Sequence, residues 1–120
     1  MIAGGNATVY VSDMDRAVRF YVETLGFKLV VRHADHWAEV DAGGGLILGL
    51  HPASPHAPKP GTSGSISIGL AVNAPIAEVV AVLSNRGVVF QGPVIENGPI
   101  KLAYFGDPDG TSLYLCESSY

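Results

Sequence analysis

Few side chains in this sequence carry reactive chemistry, and their spacing limits what they could do together. His33, His36 and Glu39 follow one another at intervals of three, and imidazole with carboxylate is a donor set that suits Zn²⁺ or Ni²⁺. The surrounding residues read as strand, turn and strand rather than helix, so convergence of the three is not expected. His51 and His56 stand alone as single ligands. Cys116 is the sole thiol, which excludes an intramolecular disulfide. Its place in an apolar alternating run suits a small packed side chain better than a nucleophile. Ser12 and Ser67 have no base identifiable from the sequence to activate them. Asp107 and Asp109 belong to Asp-Pro-Asp-Gly, where proline pre-sets φ and glycine is free to take φ > 0, so they read as turn residues. Trp37, the only tryptophan, alternates in phase with Glu39 and Asp41 and out of phase with Ala38 and Val40. An indole beside a carboxylate is a suitable receptor for a flat or cationic organic molecule.

Those residues need elements to hold them. Ala7, Val9 and Val11 alternate with Asn6, Thr8 and Tyr10 as the two faces of a strand. At Ser12 the period changes. Met14, Ala17, Val18, Tyr21, Val22 and Leu25 recur at spacings of three and four, the stripe of an amphipathic helix. Ser12 is the expected cap, with Asp15 completing a capping-box-like pattern, and Gly26 the expected left-handed stop. The same device returns 61 residues later: Val11 maps to Val72, Val18 to Val79, Val22 to Leu83 and Gly26 to Gly87. The chain is therefore read as a tandem repeat of one supersecondary unit.

The first unit, about residues 6–51, is predicted as strand 7–11, helix 13–25 and strands 27–33, 37–41 and 46–51. Residues 52–64 hold four prolines and two glycines and read as a linker. The second unit, about 65–117, is predicted as strand 65–72, helix 75–86 and strands 88–95, 100–106 and 111–117. The fold class is α+β, two βαβββ units within a single domain spanning residues 1–120.

Composition narrows the partners. A net charge of −4, with only seven Lys and Arg and no cluster of them, argues against nucleic acid. No apolar run approaches the length of a membrane span. The first residues lack the basic and apolar regions of a secretory signal, so a cytoplasmic location is expected.

Two stretches make the reading more specific. Val-Ser-Asp-Met-Asp-Arg-Ala-Val-Arg-Phe-Tyr-Val-Glu-Thr-Leu-Gly-Phe, residues 11–27, resembles the opening motif of the vicinal oxygen chelate superfamily. Tyr-Phe-Gly-Asp-Pro-Asp-Gly-Thr-Ser-Leu-Tyr-Leu, residues 104–115, resembles its closing motif. That superfamily includes glyoxalase I, extradiol dioxygenases, fosfomycin-resistance enzymes and bleomycin-resistance proteins. The resemblance covers essentially the whole chain. It implies two βαβββ units whose curved mixed sheets form a cup with helices on the outer face, usually in a homodimer.

Metal-dependent members place four His, Gln or Glu ligands on the first, fourth, fifth and eighth strands. The resemblance carries those positions to Asn6, Gly49, Ser67 and Tyr114, none of which is a normal ligand for Zn²⁺, Ni²⁺ or Fe²⁺. The expectation is a protein without a resident cofactor that binds a small aromatic or cationic organic molecule in the sheet cup through Asn6, Trp37, Glu39, Gly49, His51, Ser67 and Tyr114. Two alternatives stay open: a lyase or dioxygenase-like enzyme with a divalent metal at a displaced site, and a non-catalytic accessory dimer.

Overall fold

The computed structural model describes residues 1, 3, 5–55, 58–62 and 66–119. His56 and Ser65, the start of the predicted fifth strand, lie outside the described residues. The chain divides into two compact units, residues 1–62 and 63–120.

In the first unit β1 (Ala7–Val11) leads through a helix to β2 (Lys28–His33), β3 (Trp37–Gly43) and β4 (Leu46–Pro52). The sheet order is β1-β4-β3-β2, with β1 parallel to β4 and the other pairs antiparallel. Alternation decides the faces. Val9, Val11, Ala38, Val40, Leu48 and Leu50 are buried beneath the helix residues Met14, Ala17, Val18 and Tyr21. Each large apolar side chain so removed from water contributes about 1.5–3 kcal/mol. The other face carries Thr8, Tyr10, Trp37, Glu39 and His51, all only half-buried.

The helix departs from expectation at both ends. Its α-helical part, α1 (Met14–Arg19), is capped by Asp13 rather than Ser12: Asp13 is extended, and its Oδ1 accepts from Arg16 N at 3.0 Å. Ser12 Oγ accepts from the Arg16 side chain at 2.8 Å instead. The Asp15 carboxylate accepts from Arg32, which also reaches Asp35 at 3.0 Å. These hydrogen bonds, Asp15 first, hold the Arg32 guanidinium above its ordinary pKa. After Arg19 the helix widens into a π-helical turn, Phe20–Thr24, closed by Leu25 N to Phe20 O at 3.0 Å. Gly26, with φ +82°, then ends it as the sequence predicts.

The second unit repeats the plan: β5 (Ser67–Ala71), α2 (Ile76–Asn85), β6 (Ile95–Asn97), β7 (Ile100–Gly106) and β8 (Ser112–Ser118), in sheet order β5-β8-β7-β6. Ile68, Ala103, Phe105, Leu113 and Leu115 are buried on the α2 side with Ile76 and Leu83. Pro75 caps α2 but offers no side-chain acceptor. The acceptor comes from β8, where Glu117 Oε1 takes Ile76 N at 2.7 Å. Asp107 is buried in the turn before β8, and its Oδ1 accepts from Asp109 N at 3.0 Å and Thr111 N at 2.8 Å.

The sixth strand is shorter than the predicted 88–95. Residues 88–94 form no strand, because Gly92 takes φ +84° and Pro93 has no N–H to donate. Val88 is buried and Phe90 packs on Phe105, ring centroids 5.3 Å apart, so these residues cover the core instead. In the first unit a bulge between Leu29 and Val31 breaks the predicted alternation of β2.

Candidate functional site

Each sheet has one face under its helix and one face open. On the open face of the second unit the strand pairing sets side chains in three rows. Ser67, Ser112 and Gly106 form one, Gly69, Tyr114 and Tyr104 the next, and Ala71, Cys116 and Leu102 the third. The rings of Tyr104 and Tyr114 lie 5.3 Å apart, tilted by 37°. Ser67 Oγ and Ser112 Oγ are hydrogen-bonded to each other at 2.9 Å. One hydroxyl hydrogen is used in that bond, which leaves the pair one donor and several lone pairs for a third partner. Ser67, Ser112, Tyr104, Tyr114, Leu102 and Cys116, together with Ile66 and Ile100, line a concavity of about 500 Å³. That volume falls in the range of small-molecule sites, and its lining is apolar with a few polar groups, as such sites are. No charged side chain lines it.

On the open face of the first unit the pairing sets Thr8, Gly49 and Glu39 in one row, with Tyr10 and His51 adjacent. Trp37 lies across this face. Its benzo ring fills the space above Gly49, where a Cβ would sit 2.2 Å from Cη2. Trp37 Nε1 donates to Glu39 Oε2 at 2.9 Å, so the carboxylate holds the indole in place. His51 stands edge-on to Trp37 at 6.3 Å and tilted against Tyr10 at 5.4 Å. Pro52 O lies 2.8 Å from His51 Nδ1, so in the neutral ring Nδ1 carries the hydrogen and Nε2 is left as an acceptor.

The structure thus brings the sequence-predicted residues together in two groups, each within its own unit. Trp37, Glu39, Gly49 and His51 form the aromatic cluster of the first unit, and Ser67 and Tyr114 belong to the concavity of the second. Asn6 lies just before β1, exposed, and its Oδ1 accepts from Thr8 Oγ1 at 3.2 Å. His33, at the end of β2, and His36, in the β2–β3 turn, are both exposed, and His36 N donates to His33 O at 2.9 Å. Ile100, Leu102 and Tyr104 were not anticipated in the site. β7 is apolar on both faces, with Ala103 and Phe105 opposite, so alternation alone could not say which row was open.

The profile of the Glyoxalase/Bleomycin resistance protein/Dioxygenase superfamily matches residues 5–115. The chain belongs to this superfamily. TnmS3, described as an antibiotic binding protein from Streptomyces sp. CB03234, matches with a TM-score of 0.80 at 32% identity, over 99% of this chain and 98% of that one. A superfamily member from Sphaerobacter thermophilus matches with a TM-score of 0.80 at 29% identity, over 98% of both chains. The virulence protein STM3117 of Salmonella typhimurium is 31% identical over 115 residues, 89% of this chain and 78% of the relative.

The residues that the resemblance carries to metal positions offer no set that fits a metal. Gly49 has no side chain and lies under Trp37. Ser67 is engaged with Ser112, and the Tyr114 ring lies beside Gly69. Neutral hydroxyls and a covered glycine are not the imidazole, thiolate and carboxylate set that Zn²⁺ or Fe²⁺ selects. Among the described residues no three His, Cys, Asp or Glu side chains are grouped to hold an ion. No described helix is long and apolar enough to cross a membrane.

Proposed function

We propose that this superfamily member binds a flat, mainly apolar, uncharged organic molecule on the open face of its second unit, without a resident metal. The observation that carries this reading is the lining of the concavity: two neighbouring tyrosines, aliphatic side chains and a hydroxyl pair, with no charged group. A ring stacked against Tyr114 and Tyr104 gains aromatic contact beyond its area burial. The Ser67–Ser112 pair orients one polar atom of the ligand. The likeness to an antibiotic binding protein supports the same class of function. In the first unit Trp37 offers a second aromatic surface, with Glu39 fixing its orientation.

A thermal-shift screen of neutral aromatic compounds tests this. A ligand at 100 times its dissociation constant raises stability by about 2.7 kcal/mol, and Tyr114→Ala is expected to weaken its binding about tenfold, a loss of about 1.4 kcal/mol. Zn²⁺, Ni²⁺, Mn²⁺ and Fe²⁺ are expected to leave the melting temperature unchanged. A rise with one of these ions, abolished by His51→Ala, would restore the displaced-metal enzyme. The edge strands β2 and β6 expose Leu29, Val30 and Ile95, which supports pairing with a second copy. Light scattering is expected to give twice the mass of one chain.

A further inference from the structure

We infer that Gly69 is a positioning residue that lets Tyr114 lie down across β5 and so holds the concavity of the second unit open. This rests on reading that concavity as the binding site. A glycine inside a strand weakens it and packs nothing, so its presence needs a cause. At Gly26, Gly87 and Gly92 the cause is a positive φ. Gly69 has no such φ, so its backbone conformation does not call for glycine. What it lacks is room: a Cβ there would lie 2.4 Å from both Cζ and Oη of Tyr114 and 2.7 Å from Cε2. Gly69 and Tyr114 are directly paired across β5 and β8, so the phenol leans sideways over its neighbour rather than standing up from the sheet. Ser67 and Tyr114, one register step apart on that face, both line the concavity. A side chain at position 69 would lift the ring into that space.

The first unit repeats the device independently. Gly49 also has no positive φ, and a Cβ there would lie 2.2 Å from the Trp37 ring. In both units a glycine on the open face is the seat of an aromatic ring.

The test is a pair of substitutions with two readouts. A ring lying over Gly69 shifts its Hα resonances upfield by ring current, and Tyr114→Leu should return them to the ordinary glycine position. Nile red, a neutral flat dye, reports on the concavity. Gly69→Ala is expected to weaken dye binding about tenfold, a difference of about 1.4 kcal/mol. In the Tyr114→Leu background the same substitution should cause no further loss, because no ring remains to be displaced. Gly69 Hα resonances at their ordinary position in the wild type overturn the inference. So does a Gly69→Ala penalty that is undiminished when Tyr114 is already Leu. Failure of wild-type protein to bind Nile red counts against the concavity as a binding site, while the Hα shifts still decide the placement of Tyr114.

Discussion

The two units share a register and differ in what they place on it. Thr8 pairs with Gly49 in the first and Gly69 with Tyr114 in the second, the same crossing of parallel strands 61 residues apart on β1 and β5. In the first unit no residue of the row that includes this crossing carries a ring; Tyr10, His51 and Trp37 belong to positions beside it, and the Trp37 indole reaches over Gly49. In the second the rings Tyr114 and Tyr104 occupy the crossing row, and the row beside it holds Ala71, Cys116 and Leu102. The helix-covered faces show no such exchange. Both are continuous apolar layers, of Val, Ala and Leu in the first sheet and of Ile, Ala, Phe and Leu in the second. The backbone and the buried face are therefore common to the two halves, and the open face is where they have become different. Small side chains beside the tyrosines leave the concavity in the second unit, whereas Trp37 covers the corresponding floor at Gly49 in the first.

If the buried faces are equivalent in role, cutting either one should be costly. Phe105→Ala in the second unit and Leu50→Ala in the first, both fully buried, should cost about 3–5 and about 2–5 kcal/mol respectively in urea denaturation. A loss below 1 kcal/mol at one site alone would break the equivalence.

The helix starts sharpen the contrast. Asp13 caps α1 from the adjacent residue, whereas Glu117 caps α2 from 41 positions away. Asp13→Ala and Glu117→Ala should each cost about 1 kcal/mol, the usual worth of a cap. Glu117→Gln keeps an acceptor and should lose less. An unchanged melting temperature for Glu117→Ala would mean that the second helix needs no partner from β8.

The smallest expected effect is at Arg32, which joins α1 to the β2–β3 turn through Asp15 and Asp35 in the first unit. The two carboxylates are mostly exposed, and such pairs stabilise little. Arg32→Ala should leave the melting temperature nearly unchanged; a large fall would give the first unit an ionic clasp of structural importance.

These differences also mark where the sequence was readable. Among the described residues, period and turn chemistry located seven of the eight strands and both α-helices, because each obeys a local rule: alternation, a three-and-four stripe, a glycine stop. The failures are non-local. The Glu117 cap depends on tertiary proximity, and the π-helical turn at Phe20–Thr24 leaves the apolar stripe almost unaltered. The sixth strand was misplaced because Val88, Val89 and Phe90 have strand-like composition, while Gly92-Pro93 prevents the ladder from forming there. For the site, the phase of Trp37 with Glu39 was legible, since residues two apart share a face. That the indole rests on Gly49, and that Tyr104 faces Tyr114, follows only from the pairing of β3 with β4 and of β7 with β8.

Metal-free binding on the second unit's open face is tested most directly by amide NMR during titration with a neutral aromatic ligand in the presence of EDTA. Saturable shifts are expected at Ser67, Leu102, Tyr104, Ser112, Tyr114 and Cys116, unchanged by the chelator. Shifts that avoid these residues, or binding that EDTA abolishes and Zn²⁺ or Fe²⁺ restores, would contradict it.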